Sequence, residues 1–297
     1  MARWWKDLNL AEKLPYARDR LVEIYFWACS IQFEPHLALS RMMMAKYLKM
    51  ISLADDTCDA YATMKEVNAF TDAIESRCSI DATDELPDYM KVFYKELLNL
   101  FEETENIASK EGRSYCAYYV KEEFKNLLRS YRMEAQWFNE GYVPTFDVYL
   151  QNGSESSSYG VIVAAGFIGM EKIAGIMEYQ WLQSNPKIVK ALKVLGRLEN
   201  DIVSHQGIYN RLSSKVLEKK AVEEILKICA NAWKDINEEC MKPTALPSPI
   251  LQLLVNLARI TEVVYRFDDS YTNPSSLKDK ITALLLEPLP LQDQVNI

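Results

Sequence analysis

"LALSRMMMAKYLKMISLADDTCDAYATMKE", residues 37–66, is the stretch whose reading decides the fold. Up to Ala54 it is apolar around most of the helical wheel, the pattern of a helix buried on nearly all sides. It then turns acidic, with Asp55, Asp56 and Asp59 inside five positions. Thr63-Met64-Lys65-Glu66 has the T-x-x-E form of a capping box, so a new helix is expected just past the aspartates.

The same periodicity continues outward. Residues 36–60 read as one nearly all-apolar helix, and 66–77, 87–108, 113–139, 145–167, 188–205, 214–240 and 248–266 as further helices. Prolines punctuate these segments, and no strand-turn-strand signal or fixed-period repeat appears. The expectation is an all-α protein of about ten helices, too many for a four-helix bundle, with residues 1–297 forming one domain.

Composition narrows the function. The chain has 297 residues, 49% of them hydrophobic, enough for a large core. A net charge of -8 excludes nucleic acid as a general partner, because a phosphate backbone needs a basic surface. It leaves room for a small phosphorylated ligand, which needs only a few placed cations. The six cysteines form no CxxC pair and read as free thiols. The longest apolar run, "VIVAAGFIGM" at 161–170, is too short to span a bilayer, and no apolar leader follows Met1. A cytoplasmic protein is expected.

Three carboxylates at the end of an apolar helix repel one another and lose hydration, so they need counter-charges. In an α-helix Asp55, Asp56 and Asp59 can share one face. A hard cation such as Mg²⁺ suits them, taking oxygen ligands and bridging carboxylates to phosphates. The bland alternative is a solvated helix end, since chance supplies acid-acid-x-x-acid roughly 0.8 times in a chain with this many acids. A second stretch, "GRLENDIVSHQ" at 196–206, sets Asn200 and Ser204 four apart on one helix face, with Asp201 beside them and Arg197 one turn earlier. Its oxygens are ordinary Mg²⁺ ligands and Arg197 suits a phosphate; an exposed polar face is the alternative.

DDTCD and NDIVS together resemble the two metal-binding motifs of class I terpene synthases. The likeness extends through "RWWKDLNLAEKLPYARDRLVEIYFWACSIQFEP" (3–35), "RSYRMEAQWFNEGYVPTFDVYL" (129–150), "NAWKDINEECMKP" (231–243) and "VNLARITEVVYRFDDSYTN" (255–273). These resemble the catalytic domain of plant sesquiterpene synthases over nearly the whole chain. The resemblance implies an α-helical barrel around an apolar cavity, farnesyl diphosphate or a close relative as substrate, and three Mg²⁺ ions, with Mn²⁺ able to stand in. Asp55 and Asp59 would bridge metal to diphosphate with Asp56 supporting, opposite Asn200, Asp201 and Ser204. "ARDR" matches the RxR element, so Arg18 and Arg20 would bind the leaving diphosphate together with Arg197. Trp27 matches a pocket tryptophan, and Tyr265, Asp269 and Tyr271 resemble residues capping the cavity. "SESSSYG", 154–160, falls where the family has a helix break facing the cation.

Departures from the family pattern point the other way. Position 208, where the second motif carries a glutamate, is Ile208, preceded by Gly207, and no spacing argument makes Glu218 its substitute. The segment before "AWKDINEE" is shorter than in the family by about three helical turns. The family's N-terminal helical domain, and the arginine-rich segment that helps cap the closed site, stand outside this chain. Two readings follow: a Mg²⁺-dependent sesquiterpene synthase, or a catalytically impaired protein that keeps only the diphosphate grip. A chain-elongating prenyltransferase fits less well, because this chain has a single DDxxD. Product and oligomeric state are not legible in the sequence.

Overall fold

The computed structural model describes residues 1–76, 85–209 and 215–288, with the side chains of 205–209 and 215–219 outside the description. Helices account for all of its regular structure among these residues: α1 (Ala2–Leu8), α2 (Leu10–Lys13), α3 (Leu21–Ile31), α4 (Ala38–Asp55), α5 (Met64–Ser76), α6 (Asp88–Lys110), α7 (Tyr115–Glu140), α8 (Phe146–Ser156), α9 (Tyr159–Ile168), α10 (Ile176–Gln183), α11 (Lys187–Tyr209), α12 (Lys215–Glu239), α13 (Ser248–Tyr265) and α14 (Lys278–Leu285).

Seven of them close a ring. Each of α3, α4, α9, α7, α8, α11 and α13 packs on the next, and α13 returns to α3. The remaining long helices form an outer layer, with α5 and α6 against α7 and α12 against α11. The ring arises because its members are apolar on more than one face. In α4 every residue from Met43 to Ala54 is buried. All ten residues of α9 are buried as well. Each aliphatic side chain withdrawn from water contributes about 1.5–3 kcal/mol, offset by chain entropy. The polar exceptions on α4 have partners: Lys46 Nζ donates to Glu103 at 2.5 Å and Lys49 Nζ to the Arg18 carbonyl at 2.9 Å.

The expected helices are present, with three differences. Residues 145–167 are two helices, because Ser158 adopts a left-handed backbone at φ 68° and ends the α-helical path between Ser156 and Tyr159. The helix expected over 36–60 starts with a 3₁₀ turn at Pro35–Leu37 and ends in a π turn at Asp56–Tyr61. Helix α3 went unpredicted because it is apolar on most sides and aromatic-rich, so it shows little periodicity; α1, α2, α10 and α14 are too short to show any. The expected capping box is present, with the Thr63 amide donating to Glu66 at 2.8 Å and the Glu66 amide to Thr63 Oγ1 at 3.4 Å. No helix among the described residues is long and apolar enough to cross a membrane.

Candidate active site

The ring encloses a cavity of about 570 Å³. Every residue given a metal, diphosphate or cation-pocket role from the sequence lines it except Asp56. The expectation that the three aspartates share one face is corrected here. The π turn closes with the Ala62 amide on the Thr57 carbonyl, five residues back. Asp55 and Asp59 line the cavity, while Asp56, in ordinary helical geometry and about 100° round the helix from Asp55, turns away from it. Asp56 is buried and accepts from the Arg18 amide at 2.9 Å and Arg18 Nε at 2.7 Å, with Arg18 Nη2 closing the pair. Asp56 therefore fixes Arg18 rather than facing the cavity.

Asp55 and Asp59 meet crowded surroundings. Burial, then the neighbouring Asp56 carboxylate, pushes the Asp55 carboxyl up to about 6. Asp59 is open to solvent on one side, yet protein crowds its other sides and, with Asp55 and Glu134 next, pushes it up to about 7. Glu134, on α7, also lines the cavity; it was missed in the sequence, where its one signal is an acid three residues after the apolar-face Tyr131.

Asn200, Asp201 and Ser204 come to the same cavity from α11. Asp201 is tied down: Tyr149 Oη donates to it at 2.7 Å and Arg197 Nε lies 3.1 Å away. Arg197 Nη1 also reaches Glu134 at 3.3 Å and Ser156 Oγ at 3.2 Å. Burial opposes the Arg197 charge, but Glu134 and Asp201 outweigh it, so the guanidinium stays ionised. Arg20 is buried, donates to Thr272 Oγ1 at 3.0 Å and stacks over the Tyr271 ring at 4.4 Å. Lys49, also missed, holds the Arg18 carbonyl; burial pulls its ammonium down to about 8.

The rest of the wall is aromatic. Trp27 meets Tyr265 edge-on at 6.0 Å and Tyr271 at 5.7 Å. Tyr159 crosses to donate or accept at Thr261, with oxygens 2.5 Å apart. Asp269 lines the cavity beside Tyr271, as expected. Ser156, Ser157 and Ser158, at the break between α8 and α9, face the cavity as well. Ile208 and Glu218 lie outside the described side chains.

These oxygens fit a magnesium ion in chemistry: hard carboxylate, carboxamide and hydroxyl donors converge on one space, and two carboxyls are raised by crowding that a cation relieves. Among the described residues no three acids, histidines or cysteines are close enough to cage a metal by themselves.

Residues 6–235 match the terpene synthase family, metal binding domain. The chain belongs to the terpene synthase family. It is 55% identical to "Probable terpene synthase 6" of Ricinus communis, over 97% of this chain and 54% of that protein. It is 42% identical to the chloroplastic casbene synthase of the same plant, over 98% of this chain and 50% of the relative. A valerianol synthase of Camellia hiemalis is 40% identical over 97% of this chain and 54% of its own length. The chain thus spans about half the length of the curated relatives it matches. Among solved structures, isoprene synthase from grey poplar (Populus x canescens), in complex with three Mg²⁺ ions and dimethylallyl-S-thiolodiphosphate, superposes with a TM-score of 0.87 at 27% identity, covering 97% of this chain and 57% of that one. Limonene synthase with 2-fluorolinalyl diphosphate gives 0.85 at 28% identity, covering 97% and 55%.

Proposed function

We propose that residues 1–297 form one catalytic-type domain that ionises farnesyl diphosphate in a Mg²⁺-dependent reaction, releasing diphosphate and guiding the allylic cation to a sesquiterpene. The observation that supports it most is the pairing, in one cavity, of two oxygen-donor clusters with an aromatic wall. Magnesium, when bound by Asp55 and Asp59 on one side and Asn200, Asp201 and Ser204 on the other, would neutralise charge on the leaving diphosphate. Arg18, Arg20 and Arg197 would bind that diphosphate through charge-assisted hydrogen bonds. Trp27, Tyr265 and Tyr271 offer ring faces to a cation and keep water from it, with Asp269 as a proton-transfer group. Cytosolic placement goes with farnesyl diphosphate as substrate and belongs to the same proposal.

The test is incubation of the purified chain with geranyl, farnesyl and geranylgeranyl diphosphate, with and without Mg²⁺, reading hydrocarbons and released diphosphate. A Mg²⁺-dependent C15 product from farnesyl diphosphate alone is expected; a C10 or C20 product changes the substrate, and none removes the activity.

Ile208 favours a second reading, binding without turnover. An isoleucine cannot ligate Mg²⁺, so Ile208→Glu is expected to raise turnover if the missing oxygen is the defect. Unchanged turnover would assign the defect to the shortened segment instead.

A further inference from the structure

Behind the serine turn at the cavity wall lies a set of charges that the diphosphate chemistry does not use. Lys193, on α11 one turn before Arg197, is buried, and its Nζ donates to both carboxylate oxygens of Glu155, at 2.9 and 2.7 Å. Glu155 belongs to the last turn of α8. Glu123, from α7, is buried on the other side of the break. Its Oε2 packs so closely on Gly160, in the first turn of α9, that a Cβ there would sit 2.1 Å from it. The Lys193 Cε would lie 3.6 Å from the same point. Lys193 therefore ties the end of α8 to α11, and a carboxyl that abuts the start of α9 lies in its field.

The signs of these charges match the backbone. The carbonyl end of α8 receives the Lys193–Glu155 pair, and the amide end of α9, which carries partial positive charge, meets the Glu123 carboxyl, whose ionised form burial opposes and Lys193 favours. Ser158, the residue that precedes α9, makes no side-chain cap, so its first-turn amides gain from a nearby carboxylate. Burying charge is costly unless it is paired, so the Lys193–Glu155 pair fixes the end of α8 against α11, while Glu123 wedged against Gly160 fixes the start of α9 against α7. Between those ends lie Ser156, Ser157 and Ser158, all on the cavity wall.

We propose that Lys193, held by Glu155 and set beside the Glu123 carboxyl, is a positioning residue that pins the break between α8 and α9 and thereby sets the contour the isoprenoid cation meets. This rests on the reading of the cavity as an isoprenoid site, and its consequence falls on product ratio rather than on the metal and diphosphate grip. A cation has several exits of similar height, so a small displacement of the wall is enough to change their ratio.

The experiment compares Lys193→Met, Lys193→Arg and the charge-free Glu123→Gln/Glu155→Gln/Lys193→Met protein with the parent chain. Four quantities are read: amide hydrogen exchange over 154–162, turnover and the ratio of products from farnesyl diphosphate, and the affinity for an unreactive thiolodiphosphate. Lys193→Met is expected to speed exchange over 154–162 by about tenfold, as local opening becomes easier. It is expected to change the product ratio by about threefold, while calorimetry gives Mg²⁺-dependent affinity for an unreactive thiolodiphosphate within about twofold of the parent. Lys193→Arg should restore both. If Lys193→Met does not fold, the triple variant leaves no unpaired buried charge and should show the same two changes. Unchanged exchange over 154–162 in Lys193→Met or the triple variant overturns the proposal, as does a loss of analogue affinity that matches the loss of turnover. A parent chain with no product ends the functional reading, and hydrogen exchange alone then decides the clamp.

Discussion

Asp55 and Asp56 are chain neighbours with opposite tasks. Asp55 looks into the cavity, whereas Asp56 is spent on Arg18. Because burial and Asp56 raise the Asp55 carboxyl to about 6, its charge opposes folding at high pH. Asp55→Asn is therefore expected to stabilise the metal-free protein at pH 8 by about 1 kcal/mol, discounted for screening by cavity water, and not at pH 3. The same change should abolish Mg²⁺-dependent diphosphate release. Urea unfolding at both pH values and a pyrophosphate assay check the pair; a destabilised variant at pH 8 would contradict the crowding argument. Asp56→Asn should behave differently. As the support of a diphosphate-binding arginine it is expected to lower turnover about 10–100-fold while Mg²⁺ still stabilises the protein, measured by steady-state kinetics beside thermal melts.

At the scale of elements, close approach of α4 to α9 decides how tightly the ring shuts. Ser40 Oγ donates to the Gly166 carbonyl at 2.8 Å, and a Cβ at Gly169 would stand 2.1 Å from the Ser40 amide nitrogen. The clash is with backbone, which cannot turn aside as a side chain can. Gly169→Ala is expected to cost about 3 kcal/mol. Gly141→Ala is the contrast: φ is 62° but nothing lies within 4 Å, so only the left-handed conformation of about 1 kcal/mol is lost. Urea midpoints order the two, and equal losses would mean that α4 moves to make room.

The whole molecule carries a strained polar end and a tightly packed apolar body. Asp55 and Asp59 have folded-state values of about 6 and 7, above the ordinary carboxylate value of about 4. Their contribution to folding is thus present at low pH and lost as pH rises from about 4 through 7. Mg²⁺ with pyrophosphate should reverse that loss, adding about 2.7 kcal/mol when free ligand is near 100 times its Kd. Thermal melts at pH 5 and pH 8 check the sign: the ligand-induced rise in Tm should be larger at pH 8, where protons no longer compete. A larger rise at pH 5 would remove the carboxylates from the binding site.

The sequence determined the all-α class, the long helices, the capping box at Thr63 and about half of the residues around the cavity, these last through the resemblance. It could do so because periodicity, charge and motif spacing are local, and the resemblance covered most of the chain. Tertiary structure alone decided three things. Asp56 pairs with Arg18 across 38 positions of sequence, a contact that only the fold creates. Tyr131 and Glu134 from α7 and Tyr149 from α8 line the cavity, and Lys49 from α4 braces Arg18, an assembly that only the closed ring brings together. The break at Ser158 was implied by the resemblance at SESSSYG, but the charges from α7, α8 and α11 that meet there come together over long sequence distances that no local pattern records.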